Sequence, residues 1–285
     1  MVVARLLAVS LSVATTSCTP LSTTLERQAT AVKTAADLRV ALTKAGDAAN
    51  RAVMADTDEA SATYAREAEQ ATAAAEKVSG ELRPILTSLG YSREIELLDN
   101  FDKQFAEYRA LDRDILQLAV ENTNLKAQRI SFGPARNAAD DFAAALDRAA
   151  ASARGADMWR AQALASRAVA AVREIEVLEA PHIAEADDEV MTRMEQEMAA
   201  SEKQARDALA MLRTITPAAQ LAAATGALDR FMDHNAQVTT LSRRNSNVRS
   251  LALSLGRKRM LAASCDETLR VLQDTLAKHE FSATR

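Results

Sequence analysis

The sequence predicts an all-α protein, an elongated up-down helical bundle in which two stacked four-helix bundles share two long helices. Three observations lead there. Ala, Leu, Glu, Arg and Asp dominate the 285 residues, whereas Gly (seven), Pro (five) and aromatics (4%) are scarce. Ala and straight-chain residues lose least freedom on entering a helix, and strands favour the β-branched and aromatic types. Helix punctuation is sparse, which itself means long helices. Finally, a motif recurs at a constant offset, the mark of an internal duplication.

Taken in order, a first helix is predicted from about Ser22 to Ala55, with Asp56 as N-cap and Glu59 as the capping-box partner for the next. The second runs to Leu89, bent near Pro84, and stops at Gly90. The third begins near Ser92 and has no convincing stop before Arg154-Gly155. A fourth spans about Asp157 to Ala180 and ends at Pro181. The fifth covers about Asp188 to Ile215, and the sixth follows Thr216-Pro217 to about Glu280. The order is short, short, long, twice over.

The repeat is legible between ENTNLKAQRISFGPAR (121–136) and RNSNVRSLALSLGRKR (244–259). At an offset of 123, Asn122 matches Asn245, Asn124 matches Asn247, Ser131 matches Ser254, Gly133 matches Gly256 and Arg136 matches Arg259. The Gly133-Pro134 pair reads as a kink rather than a turn. Its counterpart lacks the proline, and the apolar heptad stripe, through Phe101, Tyr108, Ile115, Asn122, Phe132 and Leu146, keeps its phase across it. Antiparallel pairing of the long helices then places Asn124 opposite Asn247 and brings Arg259 to Asp112.

The N-terminus has a single cation, Arg5, an apolar stretch from Leu6 to Ala14, and small residues up to Cys18. That is the layout of a secretory signal, too short to span a bilayer. Thr15-Thr16-Ser17-Cys18 is similar to a bacterial lipobox, although Thr15 stands where leucine is usual. Lipidation of Cys18 is therefore expected, with ordinary cleavage after Ala14 as the alternative. Residues 1–17 form the leader, 18–156 the first helical repeat and 157–285 the second. The chain is expected outside the cytoplasm, in the periplasm or cell envelope, held to the membrane through Cys18.

The formal charge of −4 is mild and the signs are interleaved. The only basic concentration is Arg257-Lys258-Arg259, whose members point in different directions on a helix, so no nucleic-acid partner is expected. Glu179-x-x-His182 has the spacing of a di-iron carboxylate helix, but that site needs a second such motif and two further glutamates. No metal and no cofactor are expected, and Cys265 reads as a small buried hydrophobe. Nothing has the spacing of a phosphate loop, a nucleophile elbow or a catalytic triad, so no enzyme activity is expected.

The candidate ligand-binding residues are Asn122, Asn245 and Arg129. The two asparagines sit on core stripes, where a buried amide either fixes register or hydrogen-bonds a polar ligand. Arg136 is expected to pair with Asp233. Arg129 faces no evident acid, which leaves it to snorkel outward or to hold an anion.

Together with the Asn-Thr-Asn…Ser-x-Gly…Arg signature, this architecture resembles the periplasmic sensor modules of bacterial chemoreceptors and related histidine kinases, of the four-helix-bundle or helical bimodular type. Leu97 to Leu146, with Phe105, Tyr108 and the run from Asn122 to Arg136, carries the likeness, and Leu221 to Leu276 repeats it. The resemblance implies a sensor-like module that takes a small organic or amino acid, or an envelope protein, between its helices. Without flanking spans or signalling domains, it would be a stand-alone module. None of that family's ligand-binding arginines has a match here. A structural lipoprotein serving as a spacer in an envelope complex is the alternative.

Overall fold

The computed structural model describes residues 19–283, all of its regular elements helical. The expected leader and Cys18 lie outside the described residues. Helices α1 (Thr19–Val53) and α2 (Asp58–Leu89) pack as a hairpin and are followed by α3 (Ser92–Glu121), α4 (Thr123–Ile130), a π-helical turn π1 (Ser131–Ala135) and α5 (Arg136–Ser152). The second repeat runs α6 (Asp157–Ala184), α7 (Asp188–Leu212), α8 (Ala218–Arg244), α9 (Ser246–Leu253), π2 (Ser254–Lys258) and α10 (Arg259–Ala283).

Two bundles result. One packs α1, α2 and α3 with α10 around Leu38, Leu82, Phe101, Tyr108 and Leu272; the other packs α6, α7 and α8 with α5 around Phe142, Ala168, Met198 and Phe231. Each repeat therefore lends its last helix to the other's core, so neither buries its apolar face alone. Alanine supplies much of both cores, which lets the helix axes approach closely.

Between Ser131 and Arg136 the backbone stays right-handed and helical, so the chain passes through Gly133-Pro134 without reversing, as expected. The long segments are nevertheless not continuous helices. Each breaks at an asparagine in the left-handed region, Asn122 (φ 49°) and Asn245 (φ 53°), the only non-glycine residues with positive φ among those described. Asparagine tolerates this conformation better than other L-residues. Each break is followed, eight residues of helix later, by a π turn. A π turn closes i→i+5 bonds and inserts a residue into the α ladder.

These two devices shift the buried stripe. Beyond Ile115 the inward positions become Ala119, Thr123, Ala127, Ser131 and Ala135, and beyond Val238 they become Ser242, Ser246, Ser250, Ser254 and Lys258. The expected stripe residues Arg129, Phe132, Arg136, Leu255 and Arg259 are turned outward. The predicted Arg259–Asp112 contact is replaced by Lys258–Asp112, one residue earlier, and Arg136 forms no ion pair with Asp233. A heptad count cannot see an inserted residue.

Other boundaries move for local reasons. Thr57, not Asp56, caps α2 by accepting the Ala60 N–H. Gly90, at φ 69°, ends α2 and leads into a bond from Tyr91 N–H to Leu86 O. Pro181 does not end α6, because His182 and Ile183 beyond it are buried and tied to the core. The fifth helix stops at Leu212 and leaves a short turn before Pro217. Among the described residues, no helix is long and apolar enough to cross a membrane.

Candidate functional site

The breaks at Asn122 and Asn245 meet at the junction of the two bundles. A left-handed residue leaves the first amides of the following helix without an intrahelical acceptor. Each repeat caps the other's. Thr123 N–H donates to Ser246 Oγ (3.0 Å) and Ser246 N–H to Thr123 Oγ1 (3.0 Å). Asn124 N–H donates to Asn247 Oδ1 and Asn247 N–H to Asn124 Oδ1, both at 3.1 Å. The amide of Asn124 also donates to Asn245 Oδ1 (2.8 Å), and that of Asn247 to Asn122 Oδ1 (2.9 Å). Glu121 and Arg244 close the set as a bidentate ion pair with both bonds at 2.6 Å.

All these partners stand at or near the repeat offset, so a pseudo-twofold axis passes through the junction. Asn124 lies opposite Asn247, as the antiparallel pairing predicts. Most of the side chains satisfy one another, although the Asn122 Nδ2 group is buried without a hydrogen-bond partner, and Asn124 and Asn245 donate further to the Ile183 and Glu185 carbonyls at the end of α6. Those bonds hold α6 beyond Pro181. The junction sets register.

Asn122→Ala and Asn245→Ala are each expected to lower stability by about 2 kcal/mol, combining left-handed strain with a lost hydrogen bond. Glycine at either position should cost clearly less. Urea unfolding measures both, and alanine no worse than glycine would mean the left-handed backbone is not what the asparagine serves.

Arg129 reaches the edge of this cluster through Asp58, which also interacts with Asn122. It is half-exposed and pairs with Asp58 Oδ2 at 3.0 Å, so the acid missed in the sequence comes from the start of α2.

A different group of residues forms a cleft where α1 and α3 meet π2. It has a volume of about 380 Å³ and is lined by Gly46, Asn50, Val53, Met54, Tyr108, Leu251, Ser254, Leu255, Lys258, Arg259 and Ala262. Lys258 is 3% exposed and its Nζ lies 2.5 Å from Asp112 Oδ1, itself 2% exposed. The two form a buried ion pair. The Lys258 ammonium lies 5.4 Å from the centroid of the Tyr108 ring, and the Tyr108 hydroxyl is buried without a hydrogen-bond partner. Burial pushes the Asp112 carboxyl above its usual range, and the ammonium offsets this only in part. Burial likewise raises the Tyr108 phenol, which stays protonated as a donor.

The insertion at π2 is what turns Lys258 inward, and such turns often accompany functional positions. Ser254, one π turn earlier, donates to Asn50 Oδ1 at 3.2 Å. Gly46, inside a 35-residue helix, lines the cleft beside Tyr108; a Cβ there would meet the hydroxyl at an ordinary contact distance of 3.9 Å, so only a larger side chain would fill the space. The rim is apolar and open, with Met54 79% and Leu255 64% exposed.

The second repeat does not reproduce this chemistry. At the motif offset, Phe231 stands for Tyr108, Asn235 for Asp112 and Ala135 for Lys258. It holds instead a buried carboxyl, Glu179, which accepts from Ser131 Oγ at 2.5 Å. Desolvation pushes Glu179 up to about 7. His182 on the same helix is fully buried between Ser242 and Glu195. Glu179 and His182 thus serve separate contacts, and among the described residues no three His, Cys, Asp or Glu side chains converge to hold a metal. Cys265 is buried, and desolvation pushes its thiol up to about 12, which leaves no thiolate for chemistry near neutral pH.

Sequence reasoning placed Tyr108 on the core stripe and Lys258 in a basic run whose members point in different directions, and overlooked Gly46 and Asn50. A lone glycine within a helical pattern was the available signal, since it lowers helix stability and usually has a packing or functional reason.

Comparison with protein-family models, with curated proteins and with solved structures finds no match for this chain.

Proposed function

We propose that this chain is a non-catalytic, sensor-like binding module of the cell envelope, exported and tethered through Cys18, which takes a small solute in the cleft between α1, α3 and π2. One observation carries the reading. A buried cation, Lys258, and the Tyr108 hydroxyl, buried without a hydrogen-bond partner, line a cleft of ligand size, with Asp112 behind them neutralising the ammonium. An unsatisfied buried polar group costs about 1–3 kcal/mol, and a bound solute is one way to recover it. The resemblance to chemoreceptor sensor modules agrees with this use of a helical bundle.

The spacer reading draws on the junction, where most of the polar side chains satisfy one another across the pseudo-twofold axis. It accounts for the junction but gives no reason for an open cleft over a buried cation and an unsatisfied hydroxyl.

A thermal-shift screen of the purified protein against organic acids, amino acids, sugars and polyamines decides between them. A solute present at 100 times its Kd stabilises by about 2.7 kcal/mol, a rise of about 5 °C for a chain of this size. A flat response across the whole panel would leave the spacer reading in place.

A further inference from the structure

We propose that the solute is a monocarboxylate with an apolar body, its carboxylate held by Lys258 and Tyr108 at the base of the cleft and by Asn50 at its edge, and its hydrocarbon part against Val53, Met54, Leu251 and Leu255. The inference rests on the binding reading above and names its ligand class.

The polar groups of the cleft are donors. Lys258 offers three N–H bonds and no acceptor, and Asp112 stands outside the lining, so it neutralises the ammonium without competing for the space. Tyr108 has an uncommitted hydroxyl. Asn50 spends its oxygen on Ser254, which leaves its amide N–H groups to donate. Arg259 adds a second cation to the lining, and no acidic residue is among the lining residues. Carboxylate is an acceptor-only group that matches such a set. An amino acid fits poorly, because its ammonium finds no acid in the lining.

The rest of the surface is hydrocarbon. Val53, Met54, Leu251, Leu255 and Ala262 frame the opening, and Met54, Leu251 and Leu255 expose apolar area that a water-soluble fold has no reason to gather at one mouth. One polar base under one apolar mouth suits a ligand with one charged end, and a dicarboxylate would leave its second charge against this rim.

Gly46 supplies a control that is independent of charge. Gly46→Ala should raise the melting temperature by about 2 °C without ligand, because glycine is a poorer helix former than alanine. Gly46→Leu should fill the space above the Tyr108 hydroxyl.

The test is a calorimetric titration of the full chain with octanoate, octanol, octylamine and succinate, all well below any micellar range, backed by thermal shift. Octanoate is expected to bind at least tenfold more tightly than the other three. Tyr108→Phe should weaken it about tenfold while leaving the unliganded melting temperature unchanged or higher, and Gly46→Leu should abolish binding in a folded protein. Octanoate binding that survives Gly46→Leu would overturn the site. Octanol or octylamine binding as tightly as octanoate, with loss in Gly46→Leu, would overturn the anion class and leave the binding reading standing. So would a shift from some other solute in the screen that Gly46→Leu removes. A chain that responds to no solute at all overturns both.

Discussion

Replacing Lys258 with methionine is expected to destabilise the protein by about 3–5 kcal/mol at neutral pH. The substitution keeps most of the side-chain volume but leaves Asp112, 2% exposed, as a buried charge without a counterion. Adding Asp112→Asn should restore most of the loss, since the second charge is then gone too. The second repeat already carries the neutral pair, Asn235 with Ala135. The loss in Lys258→Met should also shrink on acidification. Asp112 already titrates above its ordinary value, and without the ammonium that value rises further, so the variant's penalty disappears as the carboxyl takes up a proton. Urea unfolding of the two single variants and the double variant, at pH 5 and pH 8, measures the coupling. Equal losses in Lys258→Met and in the double variant would mean that packing, not charge, is what Lys258 contributes.

Glu179 gives the second large effect, with the opposite sign. Its folded-state value of about 7 lies above the ordinary 4.5 because burial disfavours the carboxylate, and Glu176 nearby adds to the rise. A carboxyl raised on folding contributes stability below its unfolded value, and that contribution is lost as pH rises through the folded value. The wild-type fold should therefore weaken between about pH 4.5 and pH 7, by about 3 kcal/mol from this group alone. Glu179→Gln keeps an acceptor for the Ser131 hydroxyl and carries no charge. It should match wild type near pH 4.5 and exceed it at pH 8 by about that amount. Chemical denaturation across this pH range reads the difference directly. Parallel pH profiles for the two proteins would show that Glu179 is not the titrating group.

Both predictions concern positions whose roles differ from those the sequence suggests, and the reasons are specific. Asn122 and Asn245 were identifiable as junction residues because identity at a constant offset implies a repeat, and an antiparallel repeat must bring equal positions together at its axis. The ion pair of Glu121 with Arg244 follows the same logic. Arg129 was misplaced because its partner, Asp58, comes from α2, and no pattern within the long helix reports what packs beside it. Arg259 was preferred to Lys258 for Asp112 because the heptad count was carried across a segment that contains one more residue per turn than it assumed.

Fold class, helix order, the duplication and the antiparallel register all follow from the sequence alone, since they depend on local propensity and on periodicities that extend over many residues. The tertiary structure decided which residues of the long helices face inward beyond Ile115 and Val238. It did so through a left-handed asparagine and a π turn in each repeat, whose effects appear only when the two repeats cap one another. It also decided that Lys258, Tyr108, Asn50 and Gly46, drawn from three distant segments, line one cleft. A packing arrangement of that kind depends on how helix faces meet, and short-range sequence patterns carry no record of it.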